Sequence, residues 1–366
     1  MISDLGAGGA QRVLSLLANA WVSRGHAVTV ITFEHADEQA FFPLADGIAV
    51  RRLALRADAA SAAHAVALNI GRLCAVRRAI RAEAPDIVVS FLDQVNVIVL
   101  LATIGLGVPV LACERTDPFV APLPRFWSLA RRATYRLARA VVVQTAAIAR
   151  FFEPWLRGRV VVIPNPVPPV AASERAGGGG TGSRKTVLSV GRLSEEKRFD
   201  LLISAFGRIA GRFPEWTLVI AGDGPMRTDL ERLRADLGLT ERVILPGLLR
   251  EIGPMYGKAD IFALSSRFEG FPNALCEAIA HGLPAVATDC SSSVQDLVLD
   301  GRNGFVVANG SEEALADALG RLMGDPELRQ RFGRETAAVG ERFSLERVLA
   351  NWDAAFGRCA VRAPSP

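Results

Sequence analysis

A chain of 366 residues exceeds one ordinary domain, and half of its residues are hydrophobic against 22% charged, a globular balance that excludes disordered and collagen-like polymers. The net charge of +4 is uneven: residues 1 to 165 hold 18 Arg or Lys against 12 Asp or Glu, and the remainder is slightly acidic. Five scattered cysteines without a CxxC pair, and four histidines never at ligand spacing, argue against a disulfide framework or a structural metal and fit a reducing cytoplasm.

The chain opens without a basic region and apolar stretch of signal-peptide length. Only Met1 to Leu5 precede the glycine-rich turn GAGGAQR, Gly6 to Arg12, so a truncated first strand is expected there. Gly8 and Gly9 open the helix expected over Ala10 to Arg24, where glycine lets backbone approach a ligand and the helix start favours negative charge. As a dinucleotide fingerprint the turn is expected to fail, because Gln11 replaces the third glycine and no acid is expected at the end of the next strand. A tight turn without ligand and an acceptor contact are both open.

Short apolar runs then alternate with helical stretches, the pattern of parallel sheets covered by helices. The first half offers strands at Val28–Phe33, Ile87–Phe91, Val108–Ala112, Val141–Gln144 and Val160–Ile163. The uncharged run over residues 95 to 113 is broken by Gly105, Gly107 and Pro109, and reads as buried helix, turn and strand rather than a membrane span. In RFWSLARRATYRLAR, residues 125 to 139, five arginines occur without an acid beside Trp127, Leu129, Ala133 and Leu137. That stretch suits an anionic membrane surface or a phosphate-bearing acceptor, or is a solvated arginine-rich face.

Pro164 to Ser183 is a linker by composition, with a boundary near residue 175. The second half offers strands at Val187–Val190, Leu218–Ala221, Val243–Leu245, Ile261–Leu264, Ala285–Thr288 and Phe305–Val307, apolar throughout as in sheets buried on both faces. The final helix, Leu345 to Gly357, carries Val348, Leu349, Trp352, Ala355 and Phe356 at helical spacing and must dock on something.

Three motifs in this half carry chemistry. In GRLSEEKRFD, Gly191 ends a strand and the cations Arg192 and Lys197 follow where parallel sheets bind ligands, able to neutralise a diphosphate without metal. AGDGP sets Gly222 and Gly224 around Asp223 at another strand end, as a turn open to a base or ribose or as a bare β-turn. In FEGFPNALCEA, Gly270 and Pro272 keep a loop, Asn273 is the expected N-cap of a helix running to His281, and Glu277 falls one turn into it. The loop amides from Gly270 through Phe271 and Pro272 to Asn273 could face a phosphate or sugar, and a carboxylate accepts two hydrogen bonds from a vicinal diol. Glu269 stands eight residues before Glu277.

In this order GRLSEEK, AGDGP and EGFPNALCEAIAHGLPAVATD resemble the donor half of family 4 of the retaining glycosyltransferases, and GAGGAQR resembles that family's acceptor-side loop. The resemblance implies an α/β chain of GT-B fold, with two Rossmann-like domains facing across a cleft. An acceptor domain over residues 1–165, a linker over 166–184, a donor domain over 185–344 and a helix over 345–358 returning to the first domain follow from it. It implies Arg192 and Lys197 on the diphosphate, Glu277 on the ribose, Glu269 on sugar hydroxyls, and Gly270 to Asn273 on sugar and phosphate. The implied reaction moves a sugar, of a UDP-sugar by family frequency, to a glycan or lipid-linked hydroxyl at the inner face of the membrane. No cofactor and no nucleic-acid partner are expected, and the absence of a DxD triplet leaves no metal to hold the diphosphate. Many relatives carry a histidine after the strand ending at Ala112; here stand Cys113, Glu114, Arg115, Thr116 and Asp117, with a structural salt bridge expected there rather than a base or donor contact. A nucleotide-dependent dehydrogenase, a catalytically silent nucleotide-sugar sensor and a two-domain epimerase are the rival readings.

Overall fold

The computed structural model describes residues 1–55, 62–170 and 185–360. It divides into two units, one of Met1–Pro166 together with the chain from Val348, the other of Val167–Arg347. The linker expected over 166–184 lies outside the described residues from 171 onward.

In the first unit β1 (Val28–Thr32) pairs with β2 (Ile48–Arg52), and β3 (Val88–Phe91), β4 (Val110–Cys113), β5 (Ala140–Val143) and β6 (Val160–Val162) form a parallel sheet in that order. The opening residues join the two pieces. Ile2 N–H donates to Ile31 and Phe33 N–H to Ser3 on one side, while Phe91 N–H donates to Met1 and the Met1 amino group to Val89 on the other. Residues 1 to 3, extended by these bonds, thus lie between β1 and β3, where the strand order reverses. Its helix, Gly9–Ser23, buries Val13, Leu14, Leu17, Ala18 and Trp21, one face at helical spacing. The strand β2 was not expected; IAVRR alternates, burying Ile48 and exposing Ala49 and Arg51, while Arg52 is half-buried beside Glu34, as an edge strand allows.

The helix Leu345–Ala360 packs in this unit. The Trp21 ring lies 5.4 Å from those of Trp352 and Phe356, which are 5.7 Å from each other, and Arg24 meets Asp353 at 2.7 Å. The run over 95–113 is the helix Asp93–Ala102, a turn with Gly105 and Gly107 at positive φ, and β4. No helix among the described residues is long and apolar enough to cross a membrane.

The second unit holds β7 (Lys185–Val190), β8 (Trp216–Ala221), β9 (Val243–Gly247), β10 (Ile261–Leu264), β11 (Ala285–Thr288) and β12 (Gly304–Val307). They form one parallel sheet in the order β9, β8, β7, β10, β11, β12, the doubly wound Rossmann order. The strands β8, β10 and β11 are buried at every residue because helices cover both faces. The strands β7 and β10 run parallel side by side, and the order in which strands are added reverses between them, so their carboxyl ends mark the crevice such sheets offer to ligands.

Candidate active site

The motif residues follow those two carboxyl ends. After β7, the loop from Gly191 leads into a short turn, Glu195–Lys197. After β10, two serines precede Arg267 and Glu269. Lys197 Nζ donates to Glu269 Oε1 at 2.6 Å, and Ser266 Oγ donates to the same oxygen at 2.6 Å. Both bonds use Oε1; Oε2 takes none among the described residues. Backbone holds the loops independently: Arg267 N–H donates to Glu196 at 2.7 Å, and Ser265 Oγ to the Lys197 carbonyl at 2.8 Å. Arg192 lies exposed on the same loop without a side-chain bond among the described residues. Its charge and that of Lys197 help hold Glu196 below the usual carboxylate range, after the hydrogen bonds from Ser194 and its own backbone.

Gly222 and Gly224 turn out to serve packing. A Cβ on Gly222, whose φ is +152°, would lie 1.8 Å from the Gly191 carbonyl oxygen, and one on Gly224 would lie 2.5 Å from that of Leu193. The turn after β8 is therefore pressed on the loop after β7, sealed by Gly191 N–H to Ala221 and Leu193 N–H to Asp223, both at 3.0 Å. Glycine is needed at both positions because backbone meets backbone there.

The helix over Asn273–Ala280 has Pro272 as its N-cap, so Asn273 is its first residue and not the cap. Proline suits the start because an unused N–H is lost there. Glu277 begins the second turn and is buried at 5% exposure. The loop before it is fixed by Ser293 Oγ donating to the Gly270 carbonyl at 2.6 Å and by Phe271 packing on Phe343. The amides of Gly270 and Phe271 donate to no protein group among the described residues. Ser265, Ser266 and Ser293 were missed in the sequence; their signal is a hydroxyl placed directly where a buried apolar strand or its neighbour ends. Burial, aided by Glu269, pushes the Cys290 thiol up to about 12, so it stays neutral and is no nucleophile.

The first unit answers two further expectations. An acid does follow β1: Glu34, buried, accepts the Leu5 N–H at 2.7 Å, with Arg52 at 3.9 Å. It supports the strand before the glycine turn from within. In the turn itself, Asp4 Oδ1 accepts from Gly6 N–H at 3.0 Å and from Gln11 Nε2 at 2.8 Å, and Gln11 lies over Gly8 so closely that a Cβ there would meet its Oε1 at 2.1 Å. Gly9 begins the helix.

Glu114, at the end of β4, is fully buried and accepts from Tyr135 Oη at 3.0 Å and Arg131 Nη1 at 3.4 Å. This is the salt bridge expected of it. Arg115 makes none among the described residues; it stacks on Phe91 at 4.6 Å and donates to Asn165. Burial outweighs the attraction of Arg131 and raises the Glu114 pKa from 4.5 to about 7. A carboxyl whose folded pKa is raised contributes stability that is present below the unfolded value and lost as pH rises through the folded one. Relative to Glu114→Gln, the wild type should therefore lose roughly 3 kcal/mol of stability between pH 4.5 and 8, read as a widening gap in denaturation midpoints. Equal pH profiles for the two proteins would contradict the assignment.

Comparison with known proteins decides the family. Residues 173–339 match the family described as Glycosyl transferases group 1, and residues 8–166 match the Glycosyl transferase 4-like domain. The chain belongs to the glycosyltransferases built from these two domains. Over 354 residues this glycosyltransferase is 28% identical to the GalNAc-alpha-(1->4)-GalNAc-alpha-(1->3)-diNAcBac-PP-undecaprenol alpha-1,4-N-acetyl-D-galactosaminyltransferase of Campylobacter jejuni, covering 96% of both chains. It is 37% identical over 169 residues to the alpha-D-kanosaminyltransferase of Streptomyces kanamyceticus, covering 45% of this chain and 44% of that one. Among solved structures it resembles sucrose-phosphate synthase of Thermosynechococcus elongatus with a TM-score of 0.82 at 18% identity, covering 96% of this chain and 94% of that one. It also resembles Anabaena HepE, in complex with UDP and glucose, with a TM-score of 0.78 at 19% identity over 98% of each chain. The glycosyltransferase thus has the GT-B class of fold, two Rossmann-like domains.

Proposed function

We propose that this glycosyltransferase moves a sugar from a nucleoside-diphosphate sugar, a UDP-sugar, to a hydroxyl of a glycan or lipid-linked acceptor, retaining the anomeric configuration and using no metal. The observation that carries the reading is the meeting of Lys197 and Glu269 at the carboxyl ends of β7 and β10, 72 residues apart in the chain. The name of the Campylobacter relative, which acts on an undecaprenol-diphosphate-linked glycan, supports the acceptor class, and the UDP and glucose held by HepE support the donor class.

The roles follow from the chemistry of each group. As the bond between the sugar's anomeric carbon and the diphosphate breaks, negative charge grows on the leaving phosphate, and Arg192 and Lys197 supply the compensating charge. Glu269, held through Oε1, offers Oε2 to the sugar hydroxyls. Glu277 receives the ribose diol near a helix start, and the amides of Gly270 and Phe271, with Pro272 and Asn273 shaping the loop, meet sugar and phosphate. The acceptor oxygen forms its bond to the same face of the anomeric carbon, and its proton passes to the departing phosphate. The turn at Gly8 and Gly9 faces the acceptor, and the enzyme works at the inner face of the cell membrane.

Incubation with a panel of UDP- and GDP-sugars and a polyprenyl-diphosphate-linked oligosaccharide tests this: acceptor-dependent release of nucleoside diphosphate with a retained linkage is expected. Donor hydrolysis unaffected by acceptor would favour a nucleotide-sugar sensor instead. Transfer should persist in excess EDTA, since the two cations do the work of a divalent ion; loss of activity restored by magnesium or manganese would contradict this. The donor should stabilise the wild type by roughly 3 kcal/mol at about 100 times its Kd, and Glu277→Ala much less. Equal stabilisation of both proteins would remove Glu277 from the donor site.

A further inference from the structure

We infer that the outward face of the helix Arg125–Thr134, with the loop before it, docks on a bilayer containing anionic headgroups. The inference deepens the reading above by naming the surface through which the enzyme meets a lipid-linked acceptor, but the docking needs neither donor nor acceptor. Of the large hydrophobic side chains exposed among the described residues, Phe119, Val120, Phe126, Leu129 and Leu137 fall within one stretch of nineteen residues. Phe126 and Leu129, one helical turn apart, are 70% and 71% exposed, and Phe119 is 61% exposed. No Asp or Glu occurs from Pro118 to Phe152.

The structure also sorts the arginines of this segment. Arg131 turns inward onto Glu114, and Arg139 is engaged with the Arg358 carbonyl. Arg125, Arg132 and Arg136 remain exposed, interleaved with Phe126, Leu129 and Ala133 on the side away from Arg131. That interleaving selects the partner. A soluble polyanion such as RNA would satisfy the arginines and leave two large apolar side chains in water. A bilayer surface takes both: phenylalanine and leucine enter between headgroups while the guanidinium groups stay at the phosphate level. The Glu114 and Tyr135 contacts fix the inner face, so the helix presents these groups without having to fold on contact.

The test is sedimentation of the full chain with phosphatidylcholine vesicles, with and without phosphatidylglycerol, at low and high salt. Binding to the phosphatidylglycerol vesicles, weakened by salt, is expected. The double substitution Phe126→Ser with Leu129→Ser should reduce partitioning at least roughly tenfold, and Arg125→Gln, Arg132→Gln and Arg136→Gln roughly fivefold each. All of these variants should keep wild-type thermal stability and wild-type transfer to a short, water-soluble acceptor. A wild type that stays in the supernatant at low salt, or serine variants that pellet like the wild type, would overturn the inference. So would retention on a soluble polyanion that the serine substitutions leave unchanged while vesicle binding is absent. None of these outcomes depends on transfer, so the proposed reaction stands or falls separately.

Discussion

Lys197→Ala is expected to lower kcat about 10²- to 10³-fold while the protein remains folded. The size follows from removing one preorganised group that compensates charge on the leaving diphosphate, a loss of roughly 3–4 kcal/mol of transition-state stabilisation. The fold survives because the loop's anchors are main-chain atoms: the Glu196 and Lys197 carbonyls accept from Arg267 and Ser265, and neither bond involves the lysine side chain. What stability is lost comes from the ion pair with Glu269, whose partners are 25% and 11% exposed; such partly solvated pairs contribute on the order of 1 kcal/mol. Lys197→Arg keeps the charge and should recover part of the rate. Glu269→Gln keeps an acceptor oxygen for Ser266 but removes the charge, so it should affect KM for the donor as well as kcat. Steady-state kinetics with the competent donor provide the check, and a Lys197→Ala enzyme within tenfold of wild type would contradict the role.

Gly222→Ala is expected to be the most destabilising single methyl addition in the second unit. The added Cβ would stand 1.8 Å from the Gly191 carbonyl oxygen at a φ of +152°. Neither atom can yield without moving a strand end, because Gly191 is bonded to Ala221 and Gly222 to Gly247. Backbone strain and overpacking together put the cost at roughly 2–5 kcal/mol, a large share of the stability of an ordinary domain. The displaced loop carries Arg192 and Lys197, so donor binding should weaken with stability. Gly211→Ala is the matched control: it caps the helix Phe199–Ala210 in a helical conformation, with nothing within 4 Å of the new methyl. It should be neutral or stabilising by up to about 1 kcal/mol. Denaturant titration of both variants checks the pair; equal stabilities would mean the contact at Gly222 is not as close as the structure has it.

Much of this architecture was legible in the chain. The strand Ile261–Leu264 is apolar at every position and Ala285–Thr288 at all but its last, and that composition is forced by helices on both faces. The strand Ile48–Arg52 escaped because two arginines within five residues follow from an edge position that only the assembled sheet reveals. The cations and carboxylates of the second unit were readable as motifs, but the bond between Lys197 and Glu269 depends on β7 lying beside β10, a consequence of strand order. Gly222 and Gly224 were legible as a glycine turn at a strand end; that the loop after β7 presses on that turn is visible only in the assembled sheet. Glu34 directly follows the strand Val28–Phe33 and was legible there but overlooked; that it is spent on the Leu5 amide only the structure shows. Asn273 has a good capping side chain, yet the proline before it fixes the chain direction and takes the cap position.

The most direct test of the account is a crystal structure of the enzyme grown with UDP. The diphosphate should lie at the carboxyl ends of β7 and β10 within hydrogen-bonding reach of Arg192 and Lys197, with the ribose hydroxyls on Glu277. A nucleotide bound instead at the turn of Gly8 and Gly9, or one whose phosphates touch neither cation, would contradict it.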